Sequence, residues 1–382
     1  CGAGVGWKLI QAILKKERFG MKEGHEKWLL DMVGIATLSD MVPLTGENRM
    51  LAHYGLAVLR KTPRKGLVHL LKKIGVKQKD IVEDDVGFSI SPRINAASRM
   101  GVPMDAFSLL TAEDENEAER LAEHLDQIND ERKGVVASLV KEVKRKIKER
   151  YGGTLPSAIV LGNPQWKPSL LGLAANTCAE EYERPVFLWG RDGDGLYKGS
   201  CRTGDAVHLV ELMTAAPALT FSQFGGHMGA GGFTVSKEIV FDLEKILNDA
   251  YEKMKAGSPA SKEKTEGGLV DGIVRTDDIT WALYDEVNKF APFGMSNPKP
   301  IFMIQDATIT AVKHFGKEKN HLEIMLGKEK GGAVSAIAFF KTSEDFGVKL
   351  EVGKTAMIVG TLEKSTFKWK PELRMRILDV VA

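Results

Sequence analysis

The sequence predicts a multidomain α/β protein in three parts: a helical N-terminal third, a small α/β domain, and a compact β-barrel at the end. Three observations carry this. Up to about residue 128, apolar residues recur at helical spacing; from about 155 to 250, short apolar runs alternate with an Ala-rich helical stretch; beyond a polar, breaker-rich stretch, short strands follow one another closely. The 382 residues suffice for two or three domains at ~100–200 residues each.

In the first third, Val5, Leu9, Ile10 and Ile13 mark one helix, and Leu29, Leu30 and Val33 begin another. Thr111 followed by Glu113, Asp114 and Glu115 reads as a helix start, a capping hydroxyl with acids in the first turn. That helix continues through Ala118, Leu121, Ala122 and Leu125. After Asn129 a second long helix is expected, spanning 129–152 as a connector and ended by Tyr151-Gly152-Gly153. Its apolar stripe is Val136, Leu139, Val140, Val143 and Ile147; its other face carries Lys141, Lys144, Arg145, Lys146, Lys148 and Arg150. Simple solvation near a helix C-terminus accounts for that basic face as readily as a ligand would.

The middle domain is expected over 153–253. Ala158–Leu161 and Val186–Trp189 are short buried-strand runs with a helix over 170–182 between them, which is a βαβ unit. Residues 254–267 read as a linker. From 268 to 382 the strands are Ile301–Ile304, Leu322–Leu326, Ala333–Phe340, Ala356–Leu362 and a closing hairpin. In that hairpin Thr366–Trp369 faces Leu373–Ile377 around Lys370-Pro371-Glu372. Five or so strands in that length suit a small barrel of the OB type.

Composition narrows the class without naming a function. Hydrophobic residues make up 43%, enough for a sizeable core, and the net charge of +2 leaves nucleic acid neither favoured nor excluded. Cys1, Cys178 and Cys201 show no metal or disulfide spacing, which fits a reducing cytoplasm. No apolar run is long enough to span a membrane, and no signal peptide is visible.

Five stretches carry chemistry. Phe224–Gly232 holds five glycines in nine residues, with His227 among them. Glycines let consecutive amides, here those of Gly225 and Gly226, converge on an anion, and a histidine adds a donor; a glycine-rich turn is the plainer alternative. Lys198–Thr203 is a short strand ending in Ser200 and Arg202, and Trp166–Gly172 opens the Ala-rich helix. Ser91–Met100 places Arg93, Asn95 and Arg99 among small residues, suited to gripping phosphate or else to a plain surface loop. Asp40 sits in an apolar run, Asp31–Leu44, where a carboxylate needs a metal or hydrogen bonds, or caps the next turn.

Taken in order, Trp166–Gly172, Lys198–Thr203 and Phe224–Gly232 resemble the DHHA1 domain, the smaller lobe of the DHH phosphoesterase superfamily. Within it, the pattern is similar to the RecJ family of single-strand-specific exonucleases. Asp31–Leu44 resembles the family's motif whose aspartate ligates manganese, with Asp40 at the matching position and Ser39 where alanine is usual. Ser91–Met100 resembles its Pro-Arg-(Leu/Ile)-Asn-Ala-Ala-x-Arg-Met signature, with Ser91 and Ser98 where glycines are more typical. Phe290–Pro300 resembles the signature that leads into its OB barrel, and Cys1–Gly6 the segment that follows its Asp-His-His strand.

The resemblance implies the helical C-terminal part of a DHH domain over 1–128, then a DHHA1 domain, then an OB domain. It implies 5′→3′ hydrolysis of single-stranded DNA in repair and recombination with two Mn²⁺ or Mg²⁺ ions. Asp40 would be a metal ligand and, with His227, catalytic. Gly225, Gly226, Ser200, Arg202, Arg93, Asn95 and Arg99 would bind phosphates, with a helicase or single-strand-binding protein as partner. No Asp-His-His occurs, so the two-metal site is expected to be incomplete, the rest of the DHH domain to lie upstream, and the chain to be inactive alone. On the barrel, Phe367 and Trp369 are candidates for stacking on bases or, equally, for core positions, with Lys368 and Lys370 beside them and Lys313, His314, Lys317 and Lys319 on a preceding loop. Two other readings stay open: a phosphodiesterase for short oligonucleotides or cyclic dinucleotides, and a non-catalytic single-strand-binding protein.

Overall fold

A computed structural model describes residues 1–204, 207–257, 269–365 and 370–381. The helical part comprises α1 (Gly2–Lys16), α2 (Leu30–Ser39), α3 (Gly46–Leu59), α4 (Lys65–Ile74), α5 (Glu83–Asp85), α6 (Ser91–Met100), α7 (Pro103–Thr111) and α8 (Glu115–Tyr151). The α/β part follows as β1 (Ile159–Gly162), α9 (Pro168–Tyr182), β2 (Val186–Arg191), β3 (Tyr197–Arg202), α10 (Leu209–Ala215), β4 (Gln223–Gly226), β5 (Ala230–Val235) and α11 (Leu243–Gly257). The barrel part comprises β6 (Gly272–Val274), α12 (Trp281–Asn288), β7 (Ile301–Phe315), β8 (His321–Gly327), β9 (Ala333–Ala338), β10 (Thr355–Ser365) and β11 (Glu372–Val381). These segments sort into two compact units. One gathers Cys1–Thr62, Gln78–Gly87 and the barrel part; the other gathers Pro63–Lys77 and the chain from Phe88 through α11.

The second unit is built on a five-stranded sheet in the order β1-β2-β3-β5-β4. The β1–α9–β2 crossover pairs Ile159 with Val186 and Leu161 with Leu188 in parallel, as the βαβ reading requires. Strand alternation sends Ile159, Leu161, Val186 and Leu188 to one face, where α8 and α9 contribute Leu139, Val143, Ile147, Leu170, Leu171 and Ala175. Val160, Phe187, Trp189 and Cys201 point the other way, onto Leu209 and Met213 of α10 and Leu243 and Leu247 of α11. With helices on both faces, the central strands are buried on both sides, which is why they read as unbroken apolar runs. Phe187 is fully buried, contributing about 2–3 kcal/mol in transfer free energy alone.

Three expectations change here. The helix expected to restart after Asn129 is one continuous element, α8, because Asn129 lies on its inward stripe and is fully buried. Its cap is Asp114, whose carboxylate accepts from the Glu117 N–H at 2.9 Å, while the Thr111 hydroxyl instead donates back to the Phe107 carbonyl inside α7. The stretch expected to be a linker from Met254 begins inside α11, because Tyr251 and Met254 pack against the sheet core. Its remainder from 258 lies outside the described residues.

In the first unit, α2 and α3 cross at paired glycines. A β-carbon on Gly34 would meet the Gly55 Cα at 2.7 Å, so the backbones touch where any side chain would hold them apart. The Phe290–Pro300 signature acts as a clasp on these helices. Asn297 Nδ2 donates to the carbonyls of Phe290 (3.0 Å) and Pro292 (2.8 Å), Arg49 donates to Phe290 O, and the Leu44 N–H donates to Met295 O. The barrel closes in the order β7-β8-β9-β11-β10, with β10 returning to β7; β9 and β11 are parallel and the other neighbours antiparallel. Leu322, Ile324 and Leu326 face inward to Ile304, Ile358 and Met375, while His321, Glu323 and Met325 alternate outward. The closing hairpin differs from expectation. Leu373–Ile377 pairs with Gly360–Lys364 of β10, which runs on to Ser365, and the other expected arm, Thr366–Trp369, lies outside the described residues.

Candidate functional site

The glycine run folds as a β-hairpin. Gly225 pairs with Gly232 and Gly226 with Gly231, and the His227 N–H closes the turn by donating to the Ala230 carbonyl at 2.8 Å. The expected nest of converging amides is therefore replaced by ladder pairing, which satisfies most of those groups within the sheet. Gly226 alone in the run has a left-handed φ, 152°, and a β-carbon there would lie 2.6 Å from the Gly231 Cα. β4 is the outer strand of the sheet. Since successive amides alternate along a strand and that of His227 turns inward, the Gly226 N–H turns to the open edge.

Register places the other candidates on this hairpin. Arg202 pairs with Ala230 and Ser200 with Gly232 across β3 and β5. Arg202, Ala230 and His227 thus form one cross-strand row; Ser200, Gly232 and Gly225 form the next on the same face. Glycine and alanine leave the floor of that face bare between a hydroxyl, a guanidinium and an exposed imidazole. The opposite face is filled: Cys201 is buried, its thiol pushed up to about 12 by burial, and a β-carbon on Gly231 would meet Cys201 Sγ and Met213 Cε.

A chain of arginines leads to this face. The α9 helix packs so closely over Arg202 that a β-carbon on Gly172 would lie 2.7 Å from its Nη2, and Arg202 Nη1 donates to the Cys201 carbonyl. At the start of α9, Ser169 Oγ donates to the Arg99 carbonyl (2.8 Å) and Arg99 Nη1 donates to the Ser169 carbonyl (3.1 Å). This two-way link sets Arg99 close enough to Arg202 that, after burial, its charge helps lower the Arg202 pKa from the ordinary arginine value. Arg93 donates to Asp126 at 2.7 Å and to the Ser89 carbonyl. Asn95 is exposed one turn before Arg99 on the same face of α6.

Sequence reasoning missed Arg132. Its Nη2 donates to the buried Asn129 Oδ1 at 3.0 Å, while its own Nε and Asn129 Nδ2 have no partner. Burial, then the charges of Arg99 and Arg93, lower its pKa. The available signal was two polar residues, Asn129 and Arg132, following the apolar stripe of α8 at helical spacing. Four guanidinium groups thus crowd together, and among the described residues Asp126 is the one carboxylate ion-paired with any of them. Like charges at close range cost free energy unless an anion joins them, so the cluster is built for a ligand of negative charge. The basic face of α8 makes the contrast. Lys144 pairs with Glu181, Arg145 with Glu149 and Arg150 with Glu244, leaving those cations engaged.

In the first unit, Asp40 ends α2 and is exposed rather than set in an apolar neighbourhood. The buried carboxylate of that helix is Asp31, which accepts from the Thr62 hydroxyl and the Met32 N–H, both at 2.7 Å. Helical periodicity turned Asp31 inward and left Asp40 at the solvent end. Among the described residues no three His, Cys, Asp or Glu side chains gather to hold a metal ion. The described residues do not by themselves fit a two-metal site. On the barrel, Lys313 and His314 lie within β7 rather than on a loop, while Lys317 and Lys319 occupy the turn after it. Phe367, Lys368 and Trp369 lie outside the described residues.

A bare sheet face flanked by Ser200, Arg202 and His227, with clustered arginines beside it, in a chain that also carries an OB-type barrel, is the domain pairing expected of a DHHA1 lobe followed by an OB domain. Comparison with known proteins agrees. Residues 153–256 match the DHHA1 domain family and residues 270–379 the RecJ OB domain family. The chain is 32% identical to the single-stranded-DNA-specific exonuclease RecJ of Bacillus subtilis, over 98% of this chain and 46% of that protein. It is 27% identical to the enzyme of the same name from Haemophilus influenzae, over 98% and 66%. The crystal structure of RecJ in complex with Mn²⁺ from Thermus thermophilus superposes with a TM-score of 0.75 and 26% identity, covering 96% of this chain and 51% of that one. A second structure of that protein contains Mg²⁺ (TM-score 0.74, 26% identity, 96% and 54% covered). The chain carries a DHHA1 domain and a RecJ-type OB domain, is similar to RecJ exonucleases along nearly its whole length, and spans about half to two-thirds of the length of these relatives.

Proposed function

We propose that the chain acts in RecJ-type exonucleolytic hydrolysis of single-stranded DNA, 5′ to 3′, supplying the phosphate grip and the strand-guiding barrel. The observation that carries this reading is the convergence of Arg93, Arg99, Arg132 and Arg202 beside the Ser200–His227 face, with Asp126 the one acid ion-paired to them among the described residues. In the reaction, Arg202 and Ser200 hold a phosphate on the bare floor. The Gly226 amide and His227 donate to its oxygens as charge develops there. Arg99 and Arg132 neutralise the neighbouring phosphate. Asp40 would be one ligand of the divalent ion, Mn²⁺ or Mg²⁺ in the related structures, within a larger set that the described residues do not complete. The reading includes a cytoplasmic location, supported by three unpaired cysteines, and a helicase or single-strand-binding protein as partner.

Fluorescence anisotropy with labelled DNA tests it. The chain should bind single strands in preference to duplex, with affinity falling steeply as salt rises, by a log–log slope of about −0.7 per phosphate neutralised. Preference for duplex, or no binding at low salt, overturns the reading. If a dinucleotide competes as well as a longer strand, the small-substrate phosphodiesterase reading takes its place.

A further inference from the structure

The barrel carries an aromatic row that the chemistry described above does not use. Phe315 at the end of β7 pairs with His321 at the start of β8, their rings 5.1 Å apart. Phe339, just beyond β9, continues the row at 5.3 Å from His321. These residues alternate outward while Leu322 and Ala338 fill the core, so the row lies on the outer face of the second and third barrel strands. In OB barrels that face and the turn between the first two strands are where oligonucleotides lie. Here that turn carries Lys317 and Lys319, both exposed.

Phe340 extends the row into solvent. It is 77% exposed, and its ring stands perpendicular to that of His321 at 4.7 Å. Its φ of 56° is a conformation that a bulky side chain rarely adopts. The conformation is held by the Phe340 N–H, which donates to His321 Nδ1 at 2.9 Å. An aromatic seeking burial would relax inward; this one is fixed outward by a specific hydrogen bond. Strain maintained by its surroundings points to a site.

The inner end of the row is cationic. The Arg376 guanidinium lies 4.1 Å from the Phe339 ring centre and that of Arg374 5.7 Å. Glu363 accepts from both, at 2.9 and 2.6 Å, which locks the two planes against the ring. Lys341 follows Phe340 directly and is exposed. A flat apolar ring open to water, braced by further rings and flanked by cations, matches an unstacked base with its phosphate nearby.

We propose that Phe340, braced by His321 and Phe339, is a base-stacking platform for single-stranded DNA on the barrel, with Lys341 and the 316–320 turn placed along the passing backbone. This rests on the single-strand reading above for the nature of the ligand. It identifies a stacking residue among the described residues, apart from Phe367 and Trp369.

The test compares oligothymidylate of about 20 nucleotides, longer than one barrel's site, with an abasic strand of equal length and charge. The wild-type chain should bind thymidylate about 5- to 100-fold more tightly than the abasic strand, as base–aromatic stacking predicts. Phe340→Ala should weaken thymidylate binding by that factor, leave abasic binding and the salt slope unchanged, and keep the melting temperature, since the ring is exposed. Phe340→Trp should retain the preference for bases. Wild-type thymidylate affinity in Phe340→Ala, with Arg202→Ala still weakening binding, would overturn the platform alone. Failure of the wild-type chain to bind either strand would overturn the platform together with the single-strand reading.

Discussion

The hairpin site of the α/β unit and the outer face of the barrel, both proposed to contact a single strand, are built in two different ways. Around the hairpin, guanidinium groups crowd with a single paired acid among the described residues, over a floor of glycine and alanine. On the barrel, the two arginines of the aromatic row are both tied to Glu363 and present flat surface rather than free charge. The first arrangement suits charge and should respond to salt; the ring row of the second suits bases, so that removing a ring should leave the salt slope unchanged. The difference teaches that arginine counts alone predict little; what matters is whether an acid already occupies the guanidinium.

The largest expected effect comes from breaking the hairpin. Gly226→Val sets a β-carbon against the Gly231 backbone at a left-handed φ, so the β4–β5 turn should distort at a cost of about 1–3 kcal/mol. Single-strand affinity should fall and its salt dependence flatten, while the preference for thymidylate over abasic strand persists. An unchanged salt slope would show that the hairpin does not position the phosphates. Next, Arg202→Ala removes one charged contact and should weaken binding by about 1.5–3 kcal/mol, with a slope shallower by about 0.7; a salt titration by anisotropy reads both.

Smaller still is the effect of Glu363. Burial raises its pKa, but the hydrogen bonds and charges of Arg374 and Arg376 outweigh that and hold the carboxyl below its ordinary value. A carboxyl depressed in the folded state adds stability above its unfolded pKa, and that stability is lost as pH falls through the folded value. Glu363→Gln should therefore melt below wild type at neutral pH, and the gap should close as the pH falls below about 4, the ordinary glutamate range. A gap that does not change with pH would place the effect in packing rather than charge. The smallest effect belongs to the basic face of α8. Arg145, exposed and paired with Glu149, should change stability by no more than about 0.5 kcal/mol on substitution by alanine and leave the salt slope as it was.

Elements whose burial follows a simple period were legible in the sequence. The βαβ runs and the inward residues of β8 are fixed by alternation and length, and both appear where expected. What failed to show were features decided by tertiary partners. Asn129 looked like a break because polar residues usually end an apolar stripe; it is buried because α8 continues past it and Arg132 meets its side chain. Asp40 seemed embedded by its apolar neighbours in sequence, yet three-dimensional burial went to Asp31, one face of α2 away. The glycines announced an unusual backbone but not whether their amides would converge or pair across a hairpin. Phe340 was read as the end of a strand, since nothing local indicates that His321 would hold its amide.

Among the described residues the barrel strands close into a ring, whereas the α/β sheet stops at β4 with one side unpaired. An edge that must stay uncovered to admit a ligand is also a template on which another polypeptide strand can add, the first step toward aggregation. Two properties of β4 oppose this. It is only four residues long, and its last two, Gly225 and Gly226, offer an incoming strand no side chains to pack against. Glycine at these positions therefore has a second consequence, in solubility: lengthening β4 or giving it β-branched residues would create a sticky edge beside the Ser200–Arg202–His227 face.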